Sequence, residues 1–285
     1  MASDLHPPQK RDKTEFRRCA PDRFRVRLHL SYDGTEFHGW QRQTDAQGNQ
    51  TLVTGQGTIE AAVAKIFGEK LSVVGASRTD SGVHAQMQVA HFDCKRDPTT
   101  FRDLRYSLQS LTPDTLVIKD AFLAPEDFHS IATSVDKTYR YTILNRRVPS
   151  ALRNRTTWWV REPLDLNLLN EATRHILGTH DFKSFQTSGT YVETTTRTVK
   201  KAVWTQPEPD TLVFEIQGEG FLKQMVRNIV GTLVDLQLDA RPSCDMKSIL
   251  QALDRRKAGN TAPPQGLFLV EVRYPPELDN RCRRL

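Results

Sequence analysis

Asp80 lies in the run Gly75-Ala76-Ser77-Arg78-Thr79-Asp80-Ser81-Gly82-Val83-His84, directly after an apolar stretch and directly before an alternating one. A carboxylate held in a loop can be oriented for chemistry, while Gly82 lets a large partner come close to the backbone. An Asp among Ser, Thr and Gly equally serves its own turn by bonding nearby backbone groups. Three other segments carry reactive or cationic groups. Tyr32-Asp33-Gly34-Thr35 leads into Phe37-His38-Gly39-Trp40-Gln41, where a turn dipeptide sits beside rings that either stack on bases or pack under the turn. Lys137-Thr138-Tyr139-Arg140-Tyr141-Thr142 reads as a strand with Lys137, Tyr139 and Tyr141 on one face, a pattern that suits base stacking and backbone tracking on RNA. In Gly218–Gly231, Lys223 and Arg227 are four residues apart, which on a helix places them on one face, away from the Leu222, Val226, Ile229 and Leu233 stripe. A cation there would favour the charged form of a carboxylate opposite it, or simply be a solvated pair.

The elements around these groups follow from patterning. Phe24, Val26, Leu28 and Leu30 alternate with Arg25, Arg27 and His29, predicting a strand with a packed face and a basic face turned to something wet. Arg25 and Arg27 are therefore candidate contacts for a polyanion. Thr58 is the expected cap of a helix carrying Ile59, Val63, Ile66 and Phe67 on one stripe, with Gly68 as its stop. Residues 71 to 74 read as a buried strand feeding the Asp80 loop. After the loop, His84, Gln86 and Gln88 form a polar row opposite Val83, Ala85, Met87 and Val89, and His84 joins the candidate substrate contacts. Residues 101 to 111 read as helix and 115 to 123 as strand. A boundary falls near residue 135. Beyond it come a strand over 137 to 144, a helix over 166 to 177 capped by Asp165, strands over 198 to 205 and 212 to 217, a helix over 221 to 236, another over 246 to 253, and a last strand over 267 to 274. The order predicts an α+β fold of two similar mixed halves, residues 23 to 135 and 136 to 278, whose antiparallel-rich sheets join edge to edge across a central basic cleft. Residues 1 to 22 read as a disordered basic tail and 279 to 285 as a basic C-terminal tail.

The chain has 285 residues, with 40 Lys plus Arg against 34 Asp plus Glu, a net charge of +6 that favours a polyanionic partner. Cys19, Cys94, Cys244 and Cys282 are far apart with no paired His ligands, so neither a zinc site nor a disulfide framework is expected. No stretch reaches the roughly 18 to 20 apolar residues of a membrane span, and the N-terminus lacks a hydrophobic signal core. The expected location is the cytoplasm, with reduced thiols and no membrane or metal partner.

Taken together, the segments YDGTEFHGWQRQ from Tyr32, ASRTDSGVHAQMQVAHF from Ala76, KTYRY from Lys137, HDFKSF from His180, GFLKQMVRNIVGTL from Gly220 and APPQGLFLVEVRYP from Ala262 resemble the TruA-type tRNA pseudouridine synthases, in the family's order. The resemblance implies the pseudouridine synthase fold and a cofactor-free isomerisation of uridine in the anticodon stem-loop, at tRNA positions 38 to 40, by a homodimer. It also implies roles: Asp80 as the catalytic aspartate, Tyr139 as the ring that packs on the target base, Arg227 as the partner of Asp80, and Arg78 as an aid to nucleotide extrusion. Such chemistry is physically coherent, because a stem uridine must leave the stack before its sugar can be reached. One departure stands out. Phe128-His129-Ser130-Ile131 occupies a position where the family commonly reads Phe-His-Ala-Arg, so a junction arginine is missing. The rival classes are a non-catalytic RNA-binding or tRNA-folding protein, and a nuclease or glycosidase, which would call for a second acidic residue or a metal cluster.

Overall fold

The computed structural model describes residues 18–45, 51–187, 189 and 192–285. Its strands are β1 (Phe24–Tyr32), β2 (Val74–Gly75), β3 (His84–Cys94), β4 (Leu116–Ala124), β5 (Asp136–Asn145), β6 (Trp158–Val160), β7 (Gly178–Asp181), β8 (Thr196–Glu208), β9 (Thr211–Gly218), β10 (Leu267–Arg273) and β11 (Arg283–Arg284). The helices are α1 (Gly55–Phe67), α2 (Leu104–Gln109), α3 (Leu166–Thr173), α4 (Met225–Leu238), α5 (Asp245–Gln251) and α6 (Pro276–Asp279). All eleven strands form one sheet, in the order β11-β4-β1-β3-β10-β5-β9-β8-β7, with β2 on β3 and β6 on β5.

The sheet is mostly antiparallel. Its centre is the exception, where β10 runs parallel to β3 through Phe268↔His84 and Leu269↔Ala85, then antiparallel to β5 through Leu269↔Tyr139. The strand carrying Tyr139 is thus separated by one strand from β3, which begins just after the Asp80 loop. Leu28, Leu30, Ile118, Tyr141, Phe214, Ile229 and Leu269 are fully buried within a single core that runs through both ends of the sheet.

Several sequence expectations shift. The cap of α1 is Thr54, whose side chain accepts from the Gly57 N–H, rather than Thr58; Gly68 closes the helix at φ +71°. Residues 18 to 22 are not all tail, since Cys19 is buried and its N–H donates to Glu126 O at 2.8 Å; residues 1 to 17 lie outside the described region. The C-terminal segment is not a tail either. Residues Arg283 and Arg284 pair with Leu123 and Phe122 of β4, Leu285 N–H donates to Ala121 O, and Arg281 meets Asp127 at 2.8 Å. Among the described residues no helix is long and apolar enough to cross a membrane, and no group of three or more His, Cys, Asp or Glu is placed to hold a metal.

Candidate active site

The Asp80 loop connects β2 to β3 and is held from below by the segment that ends in Trp40. Trp40 N–H donates to Thr79 O at 3.0 Å, Gly82 N–H to Phe37 O at 3.3 Å, and Tyr32 Oη lies 2.7 Å from Thr79 Oγ1. Val83 N–H closes the turn back onto Asp80 O at 3.1 Å. Two chain segments can lie this close only where side chains are missing. A Cβ on Gly34 would sit 2.1 Å from Val83 O, and one on Gly39, at φ +86°, 2.8 Å from Thr79 O. Trp40, 1 % exposed, fills the space beneath, flat against Gly75 and Gly55. Phe37 and Trp40 are therefore the floor of the loop and not rings offered to bases, which settles that alternative by burial; His38 alone of the three is exposed.

Gln88 of β3 holds the other side of the loop. Its Oε1 accepts from Ser77 N–H at 3.2 Å and its Nε2 donates to Ser77 O at 2.7 Å, so a fully buried amide satisfies both backbone groups of one loop residue. Ser77 then reaches across β10 to β5, where its Oγ lies 2.5 Å from Tyr139 Oη. The Tyr139 ring is 6 % exposed and meets Phe221 edge-on at 5.3 Å. Burial raises its phenol pKa to about 12, and the nearby Asp80 charge pushes the same way, so the hydroxyl stays protonated near neutrality and is no base.

Arg227, in the first turn of α4, completes the cluster. Its Nη1 donates to Asp80 Oδ2 at 3.0 Å and its Nε to Ala262 O at 2.8 Å, while Ala262 N–H donates back to Arg227 O at 3.1 Å. The loop around Ala262 can lie on the helix because Gly231 has no side chain; a Cβ there would collide with Asn260 O. The neighbouring Pro264 lies where a Cβ on Gly82, at φ +78°, would meet it at 2.9 Å. Asp80, Arg227 and Tyr139 thus come together from three segments, with 23 % of the Asp80 side chain and 11 % of Arg227 left open to solvent. A partly exposed carboxylate, oriented by a guanidinium and bordered by an aromatic ring, can present one oxygen to a polar carbon or proton of a bound molecule.

The remaining candidates divide. Arg78 and Lys223 are exposed, and among the described residues Arg78 makes no side-chain hydrogen bond or ion pair. Lys223 does not share a helix face with Arg227, however. The helix starts at Met225 after Gln224 takes a left-handed φ of +58°, which breaks the four-residue spacing. His84 is 2 % exposed, its Nδ1 accepting from Gly34 N–H at 3.0 Å, its Nε2 2.8 Å from Arg155 O, and its ring stacked on Phe268. Tyr141 is fully buried and donates to Pro263 O at 2.7 Å. Neither has a free polar atom for a substrate.

Arg25 and Arg27 correct the reading of β1 as half wet. Both are buried, on the sheet face opposite Gln88, where Arg25 makes a two-pronged contact with Asp93 at 2.7 Å and bonds to the carbonyls of Glu126 and Phe128. Arg27 bonds to Asp279 within a cage of Phe122, Phe128 and Tyr274. The cover is supplied by α6, some 250 residues later in the chain, which alternation within β1 has no means to reveal.

Of the groups that hold the site, spacing did not single out Ser77, Gln88, Phe221 or the Ala262 carbonyl. Gln88 was visible only as one of three polar residues in a row, and no local pattern separates a clamp from a solvated glutamine. At the junction, Ile131 is 46 % exposed, while Ser130 is buried and donates to Val74 O at 2.8 Å, just before the Asp80 loop.

A sequence model of a family described as tRNA pseudouridine synthase matches residues 29–131 and 172–275, spanning the Asp80 loop and Arg227. The chain is 46 % identical over 263 residues to tRNA pseudouridine synthase A of Bdellovibrio bacteriovorus, covering 92 % of this chain and 99 % of that protein. It is 42 % identical over 249 residues to the protein of the same name from Acetivibrio thermocellus, covering 87 % and 99 %. With relatives this similar along nearly their whole length, the chain belongs to the tRNA pseudouridine synthase family.

Proposed function

We propose that this protein isomerises uridine to pseudouridine in the anticodon stem-loop of tRNA, at positions 38 to 40, and that it works as a homodimer. The observation that carries the reading is the Asp80 to Arg227 contact at 3.0 Å, made between residues 147 apart in sequence and bordered by the buried Tyr139 ring. RNA binding alone has no use for a carboxylate facing a polyanion, because it repels phosphate. Isomerisation has one.

The reaction breaks the bond from uracil N1 to ribose C1′, turns the base, and joins C5 to C1′; the C5 proton is released and N1 takes one up, so no redox partner is involved. Asp80 acts at C1′ as nucleophile or at C2′ as base, and Arg227 orients it for either. Tyr139 and Phe221 receive the base once it has left the stack, the hydroxyl of Tyr139 tethered by Ser77. Arg78, exposed two residues from Asp80, takes the position the nucleotide vacates; its exposure and its freedom from other side-chain bonds among the described residues support that role.

The test is to incubate the protein with tRNA and map pseudouridine, then repeat with Asp80→Asn. Product in the wild-type reaction and none with Asp80→Asn, RNA binding being retained, supports the assignment. Product from Asp80→Asn, or none from the wild type, removes it.

A further inference from the structure

Lys137 is 8 % exposed, and among the described residues its ammonium makes no hydrogen bond or ion pair, its tip reaching solvent rather than being sealed in. Burying an unpaired charge is costly, and a buried lysine normally finds a carboxylate. The nearest chain neighbour of that kind, Asp136, alternates to the opposite face of β5 and is already taken by Arg273, Lys200 and Gln217. Glu219 is likewise engaged by Lys200.

What surrounds Lys137 instead is a second cation. Across β9 it faces Gly218, which in turn faces Val199 of β8, so the three form one row on one face of the sheet. Arg197 lies two residues before Val199 on that same face. Its guanidinium is fixed by the carbonyls of Thr194 and Thr196, at 2.9 and 2.6 Å, and among the described residues no carboxylate pairs with it. Burial first, and the Arg197 charge second, push the Lys137 pKa down. Between the two cations stands Gly218, closely covered: a Cβ there would lie 2.6 Å from Thr198 O and 3.3 Å from the Phe221 ring, so no side chain or carboxylate of this row separates them. The same Phe221 touches Tyr139, which stands on the face of Lys137 about 7 Å along the strand.

We propose that Lys137 and Arg197 form an anion subsite that takes a backbone phosphodiester of the RNA beside the nucleotide received by Tyr139. The inference rests on the RNA-modifying function proposed above and assigns Arg197, which no motif singled out, to substrate binding. Two fixed cations with no anion of their own are the complement of a phosphate oxygen pair, and the planar fork of an arginine anchored through one nitrogen keeps others free to donate. The adjoining rings fit the base on the same nucleotide. The two cations repel each other in the free protein, and that repulsion is relieved when substrate arrives.

The experiment measures RNA dissociation constants and pseudouridine kinetics across a salt series, with an anticodon stem-loop RNA and four proteins: wild type, Lys137→Gln, Lys137→Arg and Arg197→Gln. Each phosphate contact contributes about 0.7 to 0.9 to the slope of log affinity against log salt. Lys137→Gln and Arg197→Gln are expected to lower the slope by about that amount and to raise KM about tenfold, the loss falling on KM rather than kcat. Lys137→Arg keeps the wild-type slope. Thermal unfolding of Lys137→Gln should stay close to that of the wild type, since the ammonium holds no partner in the free protein; a purely structural lysine would unfold earlier when replaced. Should Lys137→Gln fail to fold, the Arg197→Gln slope decides alone. An unchanged slope in active variants overturns the subsite and leaves the reaction standing. A wild type that binds RNA with the expected slope differences among the variants but forms no product overturns the reaction and leaves the subsite.

Discussion

Replacing Gly34 by alanine tests whether the loop below the site sets the position of Asp80. Gly34 makes no hydrogen bond to Asp80 and is not in the left-handed region, so the effect isolates close packing. The added Cβ would lie 2.1 Å from Val83 O and 2.5 Å from Val83 C. Contacts below 3.0 Å are essentially never seen for a real Cβ, so the two backbones must separate by at least 3.0 minus 2.1, or 0.9 Å. Val83 N–H is bonded to Asp80 O, and Gly34 N–H to His84 Nδ1, so the shift passes directly into the turn that carries the carboxylate. Displacing a reacting group by about 1 Å costs on the order of 100-fold in rate. Overpacking of this kind also destabilises by about 1 to 3 kcal/mol. The assay is single-turnover pseudouridine formation on tRNA at saturating enzyme, with RNA binding and urea unfolding measured in parallel. Expected are a rate loss on the order of 100-fold with binding within a few-fold of wild type. A Gly34→Ala enzyme that folds and reacts within about twofold of wild type would show that the Asp80 loop is positioned by something other than this contact.

Ser77→Ala removes the partner of the buried Tyr139 hydroxyl and should cost about 1 to 3 kcal/mol in urea unfolding, with a lower kcat; unchanged values for both would mean that the 2.5 Å contact does not tether the ring. Arg27→Ala strips the aromatic cage and Asp279 of their cation, so stability should drop by about 3 kcal/mol while RNA affinity of the folded protein holds; weakened RNA binding with intact stability would restore the basic-face reading. Acid should also unfold the protein through the buried His91 and the half-buried His29. Burial, reinforced by Arg25 for His91 and by Arg27 for His29, lowers their pKa values from 6.5 to about 3 and about 4. Folded values below unfolded ones mean that the unfolded chain binds more protons under pH 6.5, so their contribution is whole above that and is lost as pH falls toward 4. The slope approaches about 1.4 kcal/mol per pH unit for each histidine, and urea midpoints that do not fall between neutrality and about pH 5, or a His91→Gln slope equal to wild type, would contradict it.

Local pattern determined which groups could react and where most elements lie. Asp80 beside Gly82 marks a loop, alternation over residues 24 to 30 marks a strand, and the apolar stripe from Leu222 marks a helix, because each depends on neighbours within a turn or two. The edge-to-edge joining of two halves was likewise readable from the matching order of elements, and the sheet does run unbroken from β11 to β7. What alternation cannot express is what comes to lie on a face. Arg27 looked solvated until α6 and Tyr274 returned over it, Arg25 until Asp93 and the Glu126 and Phe128 carbonyls closed on it, and Gln88 looked like its neighbours until the loop folded onto it. Helical spacing failed at Lys223 because one left-handed residue, Gln224, whose side chain accepts from Thr187 at 2.6 Å, delays the helix to Met225. Tertiary structure alone decided that Asp80 meets Arg227, that Ser77 ties the loop to Tyr139, and that Lys137 is left beside Arg197 without a counterion, since each depends on chain segments 60 or more residues apart in sequence.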